Sequence, residues 1–279
     1  MIDIGANLTN AAFADDCEDV LERAHAADVA AIVVTGTSVR GSRAALALAE
    51  ARSALFATAG VHPHDAADAE PGWAGELARL SCCPAVVAIG ETGLDYHRDY
   101  SPRPEQRRVF RRQVELAVET GKPLFVHDRE SGGDTRTILA DYRSGLSDCV
   151  IHCFTGTAED LEGYLDDGWH IGITGWVCDE RRGRDLAGLV SRIPDDRLLI
   201  ETDAPYLLPR TMTPRPRSRR NEPAFLGWVA RRVAECRGAE TADIERLTHA
   251  NAARFFRLPE PFAAPTNPSR PDGAATGSE

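Results

Sequence analysis

The chain lacks any apolar run near the roughly 20 residues that a membrane-spanning helix needs. Its N-terminus, MIDIGANLTN, has no basic segment leading into an apolar one, so no secretory signal is expected. A cytoplasmic location without membrane association follows as the default expectation. Seven cysteines are present and no CxxC pair occurs. An odd count without paired spacing argues for reduced thiols rather than a disulfide scaffold. Excess positive charge is also missing. The formal net charge is −11, which excludes broad, non-specific adhesion to nucleic acid. A nuclease stays open, because a local basic patch and bound cations can offset a negative total. The Gly-rich phosphate fingerprint of doubly wound sheets is absent as well.

What is present is ordered. With 279 residues, 43% hydrophobic and 27% charged, the chain can bury one large core. Eight strand-like apolar runs occur, near residues 2, 30, 55, 85, 123, 149, 170 and 197. Segments with helical spacing lie between them: Phe13 to Ala27, Ser42 to Arg52, Pro104 to Thr120, Ala158 to Asp167 and Asp185 to Arg192. Eightfold strand–helix alternation predicts an α/β fold, a (β/α)₈ TIM barrel. Further helices are expected over Phe225–Arg237 and Thr241–Phe256. The predicted barrel domain spans 1–258. The segment 259–279, rich in Pro, Ala, Gly and Ser, reads as a disordered tail.

Four of the apolar runs lead into a side chain that can ligate metal. AVVAIGE reaches Glu91, PLFVH reaches His127, CVIH reaches His152 and RLLIETD reaches Asp203. In a barrel of this kind, the C-terminal strand ends share one rim, where catalytic groups collect. A mixed set of carboxylates and imidazoles suits a divalent transition metal or Mg²⁺. Glu201, two residues before Asp203, is assigned a supporting role beside the ligands. In GVHPH, His62 is the candidate general acid or oxyanion stabiliser, and His64 a candidate for phosphate or metal. Asp95 either holds a ligand histidine or caps its loop. Arg129, two residues past His127, can reach an anionic substrate. Cys153 follows His152 directly, and strand alternation assigns it to the opposite face. The segment after the eighth strand carries Arg210, Arg215, Arg217, Arg219 and Arg220, a basic patch suited to phosphates. His25, His97, His170 and His249 read as structural.

Taken together, GVHPHD, AIGETGLDYHRD, FVHDRE, IHCFTG, GITGWVCDERRG, IETDAPYLLPR and RRNEP resemble the TatD family of metal-dependent nucleases. The likeness covers about residues 1–256, and DIGANLT brings it nearest to the branch that gives the family its name. The resemblance implies a (β/α)₈ metallo-dependent hydrolase related to the amidohydrolases. It implies 3′-5′ exonuclease action on single-stranded DNA and RNA, and a suggested role in DNA repair. Mg²⁺ is the implied activating ion, with Mn²⁺ or Zn²⁺ as alternatives and one or two ions per site. By position, Glu91, His127 and His152 match metal ligands, Asp203 matches the strand-eight ligand or base, and His62 matches the catalytic histidine. Arg129, Arg210, Arg219, Arg220 and His64 are the expected phosphate contacts. A monomer is expected. One departure stands out: Gly5 and Asn7 occupy the positions of the family's His-x-His pair. Two other readings remain open: a hydrolase of small esters or amides, and a nucleic-acid-binding protein that has lost catalysis.

Overall fold

A computed structural model of the chain describes residues 1–262. The expected tail lies outside the described residues except for its first four. Of those, Phe262 packs edge-on against Phe56, with ring centroids 5.7 Å apart.

The apolar runs form eight strands. They are β1 (Ile2–Ala6), β2 (Ala31–Val34), β3 (Leu55–Ala59), β4 (Val86–Asp95), β5 (Leu124–Arg129), β6 (Cys149–His152), β7 (His170–Ile173) and β8 (Leu198–Ile200). All neighbouring strands pair in parallel, in sequence order. Strands of a parallel barrel are covered on both faces, which is why these runs are apolar throughout rather than alternating. One core layer fills the barrel with Ile2, Ile4, Val33, Phe56, Phe125 and Leu199. A second lies between strands and helices.

Strand order leaves one seam, between β1 and β8. Side chains and isolated backbone bonds close it. The Asp3 carboxylate accepts hydrogen bonds from Thr202 N (2.9 Å) and Thr202 Oγ1 (2.5 Å). The Asp203 amide donates to Gly5 O (2.8 Å), and the Asn7 amide to Ala204 O (2.7 Å). Asp203 therefore sits three residues past β8, yet is fixed to β1.

The helices are α1 (Cys17–Ala26), α2 (Val39–Glu50), α3 (Trp73–Ser81), α4 (Arg103–Thr120), α5 (Asp134–Asp141), α6 (Ala158–Asp166), α7 (Arg184–Leu189), α8 (Leu226–Arg237) and α9 (Thr241–Phe255). Their ends follow local chemistry. α4 has Pro104 in its first turn and stops at Gly121, whose φ of 66° suits a residue without Cβ. α6 opens with a capping box between Thr157 and Asp160. α3 and α5 have no counterpart among the predicted segments. Both start behind a glycine at positive φ, Gly72 and Gly133, with no side-chain cap to mark them. Phe255 and Phe256 at the end of α9 join the barrel-interior core. Among the described residues, no helix is long and apolar enough to cross a membrane.

Strand ends differ from the expectation in one useful way. β4 continues four residues beyond Glu91, and β5 two beyond His127. The β4–β5 register shifts between Ile89 and Thr92, then resumes as Gly93↔His127 and Asp95↔Arg129. The two strands rise together past the rim, so Glu91 and His127 lie inside the ribbon rather than at its tip.

Candidate metal centre

Glu91 is the hub. Its Oε1 lies 2.7 Å from His152 Nε2, 3.2 Å from His62 Nε2 and 3.2 Å from His127 Nδ1. Three imidazoles from β6, the loop after β3 and β5 thus converge on one buried oxygen. Burial alone would raise the Glu91 carboxyl. The charges of His152 and His62 and the hydrogen bonds of His127 and His152 more than offset that, holding it well below its usual value. Burial lowers His152, but Glu91 and Glu201 outweigh it and leave the ring well above its ordinary value.

Each expected ligand histidine has a second carboxylate behind it. His127 Nε2 is 3.4 Å from Asp95 Oδ2, and His152 Nδ1 is 3.4 Å from Glu201 Oε2. This is the arrangement in which outer carboxylates fix ring orientation. Asp95 has both roles offered for it. Its Oδ1 accepts from the amides of His97 and Arg98, and its Oδ2 faces His64 Nε2 (2.7 Å) as well as His127. His64 therefore has Nε2 committed to Asp95, and its ring lies against Tyr100 with centroids 4.7 Å apart.

His62 has an assignable tautomer. It caps the short 3₁₀ turn Pro63–Asp68, and its Nδ1 accepts from the His64 amide at 3.1 Å. A backbone N–H can only donate, so the ring proton of neutral His62 sits on Nε2, aimed at Glu91. His62, Glu91 and His127 lie close enough together to hold a cation. A ligand must offer a lone pair, however, and the His62 Nε2 lone pair is engaged by that proton. The geometry favours His62 as a proton donor and leaves His127 and His152 with a ring nitrogen each beside Glu91 Oε1.

Do these residues fit a cation? Among the described residues, His127 Nε2, His152 Nδ1 and Glu201 Oε2 are buried without a hydrogen-bond partner. These atoms lie on the outer side of the rings, against Asp95 and Glu201; the nitrogens that face Glu91 Oε1, His127 Nδ1 and His152 Nε2, are the ones placed to share a cation with it. Asp203 supports this. Burial pushes its carboxyl up to about 8, with Glu91 and Glu201 adding to the rise and His152 opposing it. The donor set, two imidazoles and several carboxylates, suits Mg²⁺, Mn²⁺ or Zn²⁺.

The departure at β1 has a physical cause. A Cβ at Gly5 would stand 2.4 Å from Glu201 Oε2. Glu201, wholly buried, fills the space that a side chain at position 5 would need. Asn7 also has a clear task, since its Nδ2 donates to Asp203 Oδ1 at 3.0 Å. That donor role depends on the β1–β8 seam, which residue type does not reveal. Asp203 itself has φ 55°, a left-handed conformation uncommon outside glycine.

The arginines divide. Arg220 was expected on phosphate, but its guanidinium pairs with Asp16 (2.7 Å) and Glu222 (2.8 Å) and donates to Ala12 O. It fastens the loop to α1 and has little left for a ligand. Arg210 lies 3.1 Å from Asp179. Arg219 lines an open cavity beside the site, and Arg129 sits 5.6 Å from the Trp176 ring. Trp176, Arg182 and Arg184 were not singled out from sequence. The signal for the two arginines was the charge run CDERRGR a few residues past β7, with Trp176 just ahead of it in GITGWVCDERRG. Cys153 is also placed differently. Its φ of 46° breaks the strand alternation, its amide donates to Glu201 Oε1 (2.6 Å), and its Sγ lies 3.6 Å from Thr174 Oγ1. Burial, then Asp203 and Glu201, push its thiol well up, which leaves a poor nucleophile.

Comparison with known proteins agrees with this picture. Residues 2–257 match the family described as TatD related DNase. A Shigella flexneri protein named 3′-5′ ssDNA/RNA exonuclease TatD is 46% identical over 258 residues, covering 92% of this chain and 99% of its own length. One of the same name from Erwinia billingiae is 49% identical over 264 residues, covering 93% of this chain and 100% of its own. Among solved structures, a TatD homologue from Escherichia coli superposes with a TM-score of 0.84 at 27% identity, covering 93% of this chain and 98% of its own. A TatD family hydrolase from Entamoeba histolytica gives 0.82, also at 27%, covering 91% and 97%. The family model covers nearly the whole barrel and the named relatives match along its full length, so this chain is a member of the TatD-related DNases.

Proposed function

We propose that the chain is a divalent-metal-dependent 3′-5′ exonuclease on single-stranded DNA and RNA, working in the cytoplasm and suited to DNA repair. The observation that carries this reading is the convergence of His62, His127 and His152 on Glu91 Oε1. Close relatives named as exonucleases supply the substrate class. Glu91, His127 and His152 would hold the cation, with Asp203 beside them; Mg²⁺ is the ion proposed. When bound, such a cation polarises a phosphoryl oxygen and lowers the pKa of coordinated water.

The rest is the work of side chains. Asp203 is held through Oδ1 by Asn7, which leaves Oδ2 to accept a proton from the attacking water. His62 presents its Nε2 proton toward the site and can give it to the leaving 3′-oxygen. Asp95 and Glu201 keep the His127 and His152 rings turned to their task. Arg129, Arg210 and Arg219 face the open rim, where bidentate contact would fix a phosphate. Arg220 is not assigned to substrate.

The test is cleavage of a single-stranded oligonucleotide with Mg²⁺ by wild-type, Glu91→Ala and Asp203→Ala proteins. A loss of at least ~10²-fold is expected in both. Wild-type rates in both variants would refute the assignment. A parallel panel of neutral esters addresses the small-substrate alternative, for which no residue around the site speaks.

A further inference from the structure

Beside the metal centre the active face opens into two cavities, of about 1090 and 640 Å³, that share Trp176 and Arg182 as a common wall. The larger starts at Asp128 and Arg129, next to His127, and passes Phe154 toward Arg184. The smaller runs from Trp176 along Pro209 and Arg210 to Arg219.

Charge is distributed unevenly around them. On α4 arginines are compensated: Arg103, Arg107, Arg108, Arg111 and Arg112 each pair with an Asp or Glu. Around the cavities most are not. Among the described residues, Arg129, Arg182, Arg184, Arg215, Arg217 and Arg219 form no ion pair, while Arg192 and Arg210 do. Most of the acids in the same walls are engaged within the protein. Asp128 is held by Tyr164, Glu130 by His97, Asp160 caps α6, and Asp179 takes Arg210 and two backbone amides. Six guanidinium groups without an ion pair, on a chain of net charge −11, concentrate positive charge at this face and suit a polyanion. Between them stands a half-buried indole with the Arg129 guanidinium near its ring.

We propose that the two cavities form one track for the part of a single strand upstream of the scissile phosphate. Trp176 stacks a base at the partition, and Arg182 contacts backbone phosphates on both sides. The ligand class is a single-stranded polynucleotide several nucleotides long, of any sequence, because stacking and phosphate contacts carry no base code. This rests on the nuclease reading above and adds where the rest of the substrate lies.

The experiment compares a dinucleotide with a dodecanucleotide on wild-type, Arg182→Ala and Trp176→Ala proteins. Wild-type kcat/KM should rise with length. Each variant should lose about tenfold on the dodecanucleotide, through KM, against about twofold on the dinucleotide. Arg182→Lys and Trp176→Phe should recover part of the loss, which separates contact from folding damage. Binding of a fluorescein-labelled dodecanucleotide in EDTA, read by anisotropy, should weaken in parallel. Equal binding by wild type, Arg182→Ala and Trp176→Ala overturns the track, whatever cleavage shows. Failure of the wild type to cleave any oligonucleotide contradicts the nuclease reading instead.

Discussion

Asn7 and Asp203 act as one unit across the barrel seam. The Glu201 carboxylate occupies the space beside Gly5, and the Asn7 amide donates to Asp203 Oδ1. Asn7→Ala should therefore lower kcat about tenfold, by freeing Asp203 Oδ1, with little change in KM; steady-state kinetics read this directly. Asn7→Asp should do worse, since it sets a second carboxylate against Asp203. Asp203→Asn makes the opposite trade between stability and function. Asparagine tolerates positive φ and carries no buried charge. In EDTA its thermal midpoint should rise by ~2 °C or more, about 1 kcal/mol, while cleavage falls by at least ~10²-fold. A variant that is both less stable and inactive would contradict the strain-and-burial account of this residue.

At the scale of elements, the seam between β1 and β8 holds the site together. Asp3→Ala should destabilise by about 2–3 kcal/mol, because Thr202 loses its buried acceptor. Burial pushes the Asp3 carboxyl up from 3.8 to about 7, against its hydrogen bonds from Thr202 and Gly5. An acid raised on folding takes up a proton as the chain folds, so its contribution is fully present below the unfolded value. It is lost as pH rises toward the folded one. Wild-type stability should thus fall between those two pH values, and Asp3→Asn should flatten that part of a denaturant-melt series. The strands were legible because a buried parallel strand is a continuous apolar run. Glu91, His127 and His152 were legible because such runs ended on them. What sequence hid depends on geometry across the barrel: the β4–β5 ribbon that outruns Glu91, the uncapped starts of α3 and α5, and the positive φ that turns Cys153 toward Glu201. Arg220 shows the limit of residue type, as an ion pair with Asp16, 204 residues away, decides its role.

For the molecule as a whole, the balance of charge sets how substrate is captured. An acidic body with one arginine-lined face should bind single strands electrostatically, and weaken with salt. With about three phosphate contacts, a log–log slope near −2 is expected, or about 15-fold between 50 and 200 mM salt. A flat salt profile for KM would move the binding energy away from those arginines. The deeper dependence is on the cation, because His127 Nδ1 and His152 Nε2 converge on the buried Glu91 Oε1 as a mixed nitrogen–oxygen donor set. The most direct measurement is calorimetric titration of Mn²⁺ into metal-free wild-type and Glu91→Gln proteins. The wild type should show at least one site, and Glu91→Gln should bind at least ~100-fold more weakly. Equal affinity in the two proteins would contradict a cation held by Glu91.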